Sequence, residues 1–171
     1  MSGRKELPRR LWHIGGGLSI PIASLLVPQY IFHPALLSIT VAFLIFEAVR
    51  LKLPWLNHRF LHCFRALLRE GEASTLTSSA YLLIAASIVF IFCDKSIAAI
   101  AVTFVAVGDP VAGMVGERRG KLRVRGKSLR GSGACLLACL VAGAILASIT
   151  QVAFWLVMIG AICATVIEFF S

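Results

Sequence analysis

Residues 132–149 read SGACLLACLVAGAILASI, eighteen positions without a charged side chain. At 1.5 Å per residue such a run makes a helix of about 27 Å, close to the roughly 30 Å of a bilayer's hydrocarbon core. Five more apolar runs, with at most one charged side chain each, lie outward from it, at 11–27, 30–49, 77–93, 96–115 and 152–170, each bounded by Pro, Gly or a charge. The 171-residue chain is 58% apolar and only 15% charged, whereas about a quarter of a soluble domain is charged. That composition excludes a disordered tail, a collagen-like fibre and an ordinary soluble fold. It predicts an all-α polytopic membrane protein, a single integral domain over 1–171 with six transmembrane helices. The run after Arg9-Arg10 resembles the start of a signal peptide, but it lacks a small-x-small cleavage site in a polar context and further spans follow. It is expected to stay in the mature protein.

Seventeen Lys and Arg against eight Asp and Glu give a net charge of +9. Basic stretches interleaved with aromatics on a soluble surface are absent, so nucleic acid is not the expected partner. The cations sort instead by membrane side. With the N-terminus inside, sixteen fall in the cytoplasm and only Lys95 outside, so both termini are expected to be cytoplasmic in a multi-pass protein of a prokaryotic cell membrane or an endoplasmic reticulum-type membrane. The far-side turns are short, which directs chemistry to the cytoplasmic face. Five cysteines without CxxC or Cys/His spacing read as small packing residues.

Two cytoplasmic segments are long enough to carry function. Residues 54–70 have a helical period, with Leu56, Phe60, Leu61, Phe64, Leu67 and Leu68 on one side and His58, Arg59, His62, Arg65 and Arg69 on the other. Pro54 suits the first turn and Gly71 the stop, predicting an amphipathic helix in the headgroup plane. Residues 116–131 form a basic, glycine-rich stretch, expected to be a cytoplasmic loop. Its glycines let backbone N–H groups converge on phosphate oxygens, with Lys121, Arg123, Arg125 and Lys127 as countercharge. Gly131-Ser132-Gly133 then opens a helix whose N-terminus is a further anion site. Gly126-Lys127-Ser128 looks like the end of a Walker A loop, but Lys121 stands where that motif needs a glycine, which excludes a P-loop NTPase.

Carboxylates inside apolar spans are costly, roughly 2.5–3.5 kcal/mol near the bilayer centre on insertion scales. Asp109 is the clearest, in Val107-Gly108-Asp109-Pro110, where Pro110 removes a helical hydrogen bond and Gly108 permits a kink. A carboxylate beside freed carbonyls suits a hard cation such as Mg²⁺. Glu47 is a second candidate metal ligand, or the same-helix partner of Arg50. Glu168 lies near the end of the last run. His13 precedes Gly15-Gly16-Gly17, which admits close approach by a helix or a ligand. Gly131, Cys135, Cys139, Gly143 and Ala147 recur every four residues, a small-residue face for a helix of the same chain or of a second copy in a homodimer. A polyphosphate and a lipid headgroup could meet beside these groups, and phosphoryl transfer needs positioning, a metal and a proton acceptor.

The stretch Gly108-Asp109-Pro110-Val-Ala-Gly-Met-Val-Gly116, then Gly120-Lys121, then Gly126-Lys127-Ser128-Leu-Arg-Gly131-Ser132 resembles the polyprenol kinase family, which comprises dolichol kinase, phytol kinase and a CTP-dependent diacylglycerol kinase. Weaker matches are Arg9-Arg10-Leu-Trp-His13, Glu47-Ala-Val-Arg50, and Leu67-Leu-Arg69-Glu70 running into Leu76-Thr77, so the resemblance covers nearly the whole chain. It implies transfer of the γ-phosphate of CTP, with Mg²⁺ or another divalent cation, to the hydroxyl of a membrane-embedded lipid alcohol. It also implies that Asp109 is the metal ligand or base, and that Lys121, Gly126, Lys127, Ser128 and Gly131 hold the nucleotide phosphates, with Arg123 and Ser132 beside them and Lys127 stabilising charge. Arg130 stands where the family usually has an acid, and the family pattern runs on past Glu168 into a further acidic motif, so the resemblance implies altered metal binding here. The residues leave three readings: a kinase of isoprenoid alcohols, a diacylglycerol kinase of the same family, and a non-catalytic lipid-binding or anion-transport protein.

Overall fold

The computed structural model describes residues 3–64, 67–68, 71–119, 123–124 and 127–170 and, within them, the side chains of all but 3–7, 117–119, 123, 124 and 127. The helices are α1 (Gly3–Leu26), α2 (Gln29–Lys52), α3 (Pro54–Phe64), α4 (Ser78–Phe92), α5 (Lys95–Arg119), α6 (Leu129–Thr150) and α7 (Phe154–Phe170). Between α5 and α6 runs one antiparallel pair of two-residue strands, β1 (Arg123–Val124) and β2 (Lys127–Ser128), with Arg123 opposite Ser128 and Val124 opposite Lys127. Among the described residues three helices are long and apolar enough to cross a membrane, namely α2, α5 over Lys95–Gly116, and α6. The other apolar helices, α4 and α7, are shorter, at 15 and 17 residues. Large apolar side chains such as Leu26, Phe92, Leu137, Ile149 and Ile167 face outward, as they do when the surrounding medium is itself apolar.

Two expectations are corrected. Among the described residues the amphipathic helix covers Pro54–Phe64, and Leu67, Leu68 and Gly71 to Thr75 are turns and bends, so Gly71 is not its stop. The stretch 116–131 is not a loop throughout: α5 continues to Arg119 and the strand pair precedes α6. The helix α5 runs on through Pro110. Packing requires a glycine at 108, because a Cβ there would lie 2.9 Å from Cys139 Sγ and 3.0 Å from Cys135 Sγ.

The core is built on α5, which packs most extensively against α6 and next against α1. Small residues make this possible, since helix association in an apolar medium depends on close van der Waals approach. A Cβ at Gly131 would meet the Ala112 carbonyl oxygen at 2.8 Å, one at Gly143 would meet Val157 Cγ1 at 2.5 Å, and one at Gly17 would meet Ala106 Cβ at 2.5 Å. The small-residue face of α6 is thus buried within the chain, against α5 and α7. Of the glycine triplet only Gly17 serves a helix contact, for Gly15 and Gly16 have open space before them. On the other flank Phe32 of α2 meets Phe90 of α4 edge to face at 4.8 Å, and Thr40 and Ser87 share a hydrogen bond of 2.8 Å across the same helix pair. That interhelical bond gives the buried Ser87 hydroxyl a partner among apolar side chains, while Thr40 Oγ1 also donates to the Leu36 carbonyl at 2.8 Å.

Candidate functional site

A cavity of about 2320 Å³ runs between α1, α2, α3, α4, α5, α6 and α7, from Val27 and Ile31 at one end of the bundle to the end where α5 and α7 finish and α6 begins. It gathers residues far apart in sequence. Asp109 and Glu168 line it from α5 and α7, His13 from α1, Ser128 and Gly131 from the start of α6, and Glu72, Thr77 and Ser78 from the approach to α4.

The α6 side is shaped for close backbone approach. Gly131 lies against the Ala112 backbone, and a Cβ at Gly116 would sit 3.4 Å from Ser128 Cβ, so the first turn of α6 rests on the last turns of α5. Ser128 occupies the N-cap in an extended conformation without a side-chain cap bond. Its Oγ is buried and has no hydrogen-bond partner. A helix N-terminus carries partial positive charge from its unpaired N–H groups, and a desolvated hydroxyl without a partner leaves hydrogen-bonding capacity unused there. Beside it Ser132 Oγ bonds Glu168 Oε2 at 3.1 Å, tying the end of α7 to the start of α6. Asp109 is exposed to the cavity, one turn before Gly113. The Arg10 guanidinium packs over that glycine, where a Cβ would stand 3.3 Å from its Cζ.

The start of α4 is built differently. Glu47 and Arg50 are both fully buried and form an ion pair of 2.9 Å. Glu47 Oε2 also accepts the Thr77 N–H at 3.0 Å, and Glu72 Oε1 accepts the Ser78 N–H at 2.8 Å together with the Ser78 hydroxyl. Arg50 donates onward to Asn57 Oδ1 at 2.7 Å and to the carbonyls of Glu72 and Thr75 at 3.1 and 2.9 Å, and its guanidinium lies 5.0 Å from the Phe60 ring centroid. Asn57 Nδ2 closes the knot on the Ala73 carbonyl at 2.8 Å. Paired charges are the condition under which such groups tolerate burial.

Of the expected site residues, the structure therefore brings together Asp109, Ser128, Gly131, His13 and Glu168, with Ser132 bonded to the last. It gives Glu47 and Arg50 another place: they clamp the α3–α4 connection, and Glu47 is the counter-ion of Arg50 rather than a ligand beside Asp109. Lys121, Gly126, Arg69 and Glu70 lie outside the described residues, as do the side chains of Arg123 and Lys127. Among the described residues no group of three or more His, Cys, Asp and Glu side chains converges as a metal cage. Asp109 and Glu168 line the same two cavities, and one or two carboxylates are the protein ligands that a magnesium ion asks for, the rest being water and phosphate oxygens. Glu72, Asn57 and Ser78 were not singled out from the sequence. The start Thr77-Ser78-Ser79-Ala80 lacks the acid three residues on that completes a capping box, the one local sign that carboxylates come from elsewhere.

A second cavity, about 480 Å³, runs between α5, α6 and α7 and is lined by apolar side chains except at Asp109 and Glu168, which it shares with the first. No protein-family model, curated protein or solved structure matches the chain.

Proposed function

We propose that this chain is a membrane lipid-alcohol kinase that transfers the γ-phosphate of CTP, or of another nucleoside triphosphate, to the hydroxyl of an isoprenoid alcohol of the polyprenol, phytol or geranylgeraniol type. In this reading six helices cross the bilayer, α1, α2, α4, α5, α6 and α7, with α3 lying at the interface. Both termini and the site face the cytoplasm, consistent with sixteen of seventeen cations on that side. The observation that carries the reading is the meeting, in one cavity, of an exposed carboxylate, Asp109, with a helix N-terminus whose cap hydroxyl, Ser128, is buried without a partner.

Phosphates would lie at the α6 N-terminus, held by its backbone N–H groups, by Ser128 and by the cations of 121–127. Mg²⁺, held by Asp109 with Glu168 as second carboxylate, would neutralise charge on the phosphate oxygens. Arg10 and His13 close the cavity from α1 and stand toward the same phosphates. The residues then do what phosphoryl transfer asks of a protein: they align donor and hydroxyl, and a carboxylate or solvent receives the alcohol's proton.

The test is a transfer assay on purified protein in detergent, with Mg²⁺, γ-labelled CTP or ATP, and geranylgeraniol, phytol, a long polyprenol and diacylglycerol as acceptors. Metal-dependent label in an isoprenoid alcohol is expected. Label in diacylglycerol alone would favour the diacylglycerol kinase reading. Folded protein that labels no lipid with metal present would overturn the kinase reading in favour of a lipid-binding or anion-transport protein.

A further inference from the structure

We infer that the apolar cavity between α5 and α7 is the seat of a hydrocarbon chain whose hydroxyl end lies at Asp109 and Glu168. The inference rests on the kinase reading for the identity of the hydroxyl, and on geometry for the rest. Along α5 the lining runs from Ile97 to Asp109, about 18 Å at 1.5 Å per residue and slightly more than half of a roughly 30 Å hydrocarbon core. A chain from one leaflet would fill that length with its polar end at the cytoplasmic side.

The polarity of the lining is one-ended. Between Ile97 and Val105 on α5 and between Leu156 and Ile167 on α7 it is apolar or glycine, and both carboxylates stand at the end shared with the large cavity. A hydroxyl at that junction faces the α6 N-terminus, while its chain stays out of water. The width is set by Phe104, which is buried against two glycines: a Cβ at Gly143 would come within 2.8 Å of its ring and one at Gly160 within 3.0 Å. The cavity's volume of about 480 Å³ lies in the lower half of the range for small-ligand sites, roughly 300–1,000 Å³. Lipid tails are as apolar as the lining, so burial alone gives the chain little preference for the seat over the bilayer. The seat acts by aiming the hydroxyl.

The experiment uses the full chain in lipid nanodiscs with a geranylgeraniol analogue carrying a diazirine on its last isoprene unit. On irradiation the adducts should map to Ile97, Ile100 or Leu156 at the far end, and excess geranylgeraniol should suppress them at least fivefold. Ala101→Phe, about 12 Å along α5 from Asp109 by the same rise, should cut both this labelling and transfer to geranylgeraniol about tenfold, and should spare transfer to the shorter geraniol. Ala164→Phe, one turn from Glu168, should impair both chain lengths, and retention of the wild-type thermal transition shows that either variant is folded. Adducts scattered over outward faces, labelling that does not compete, or a cross-linked dimer seated on the groove would overturn the inference. Competed labelling of the groove without phosphate transfer to any alcohol would uphold the seat and sink the kinase reading. Transfer without groove labelling would do the reverse.

Discussion

The first turns of α4 and α6 lie at the same end of the bundle, and each follows a hydroxyl N-cap without a side-chain cap bond, Thr77 and Ser128. At α4 the chain provides its own anions, because Glu47 and Glu72 accept the N–H groups of Thr77 and Ser78 while Arg50 balances the charge. The cap hydroxyls of Thr77 and Ser128 are both buried without a hydrogen-bond partner, but at α6 glycines stand where side chains would crowd the turn. Identical backbone chemistry is thus used in two ways. A helix N-terminus filled from within is a structural clamp, whereas one left open beside a carboxylate and a cation-rich stretch suits an anion from outside.

The contrast breaks first at Arg50. Arg50→Ala leaves Glu47 buried and uncompensated and removes the bonds that hold the α3–α4 connection. It should lower stability by about 3–5 kcal/mol, measured by thermal or denaturant unfolding in detergent. A loss of less than about 1 kcal/mol would mean that the knot is not what orders α4. Next, Lys127→Ala should raise the apparent nucleotide KM or cut turnover by on the order of 10²-fold without changing the thermal transition, as when a charge-stabilising donor is lost. An unchanged rate at limiting nucleotide would remove this segment from the site.

Gly131→Ala sharpens the comparison at the level of packing. Its methyl group would meet the Ala112 carbonyl oxygen at 2.8 Å, and neither backbone yields cheaply. The expected cost is about 1–3 kcal/mol of stability, with loss of transfer as the α6 N-terminus is pushed off α5. Gly133→Ala, with open space before it, is the matched control and should be close to neutral. Ser128→Ala should have the smallest effect on stability, within about 0.5 kcal/mol or slightly stabilising, since it removes a buried hydroxyl that lacks a partner. Nucleotide KM should nevertheless rise, so separate effects on stability and affinity distinguish an open site from a structural cap.

The helices were legible in the sequence because apolar runs of a given length dictate them, and the four-residue recurrence from Gly131 to Ala147 announced a close-packed face. Its partner was not legible. That Gly108 accommodates two cysteine sulfurs, and that Gly131 meets Ala112, depends on which helices become neighbours, and spacing along one helix does not encode that. Asp109 could be found because a charge is unusual where apolar side chains prevail, and Ser128 and Gly131 because they close a basic, glycine-rich stretch just before an apolar run. For Glu47 the sequence left two readings, a metal ligand or the partner of Arg50: a carboxylate in an apolar run signals cost, and only the fold reveals the arginine that offsets it. Asn57 and Glu72 are ordinary residues in polar segments, and their roles arise from contacts sixteen and six residues away, at Ala73 and Ser78.

The measurement that bears most directly on the central claim is transfer of label from γ-labelled CTP to geranylgeraniol by the wild-type chain and by Asp109→Asn, side by side at saturating Mg²⁺. The substitution removes a charge and keeps the shape, so insertion and the thermal transition should be unchanged. Wild-type protein that labels the alcohol, with the variant at less than a tenth of that rate, is the result expected if the carboxylate works beside the α6 N-terminus. Equal rates in the two proteins would contradict it and move the chemistry away from the place where α5, α6 and α7 meet.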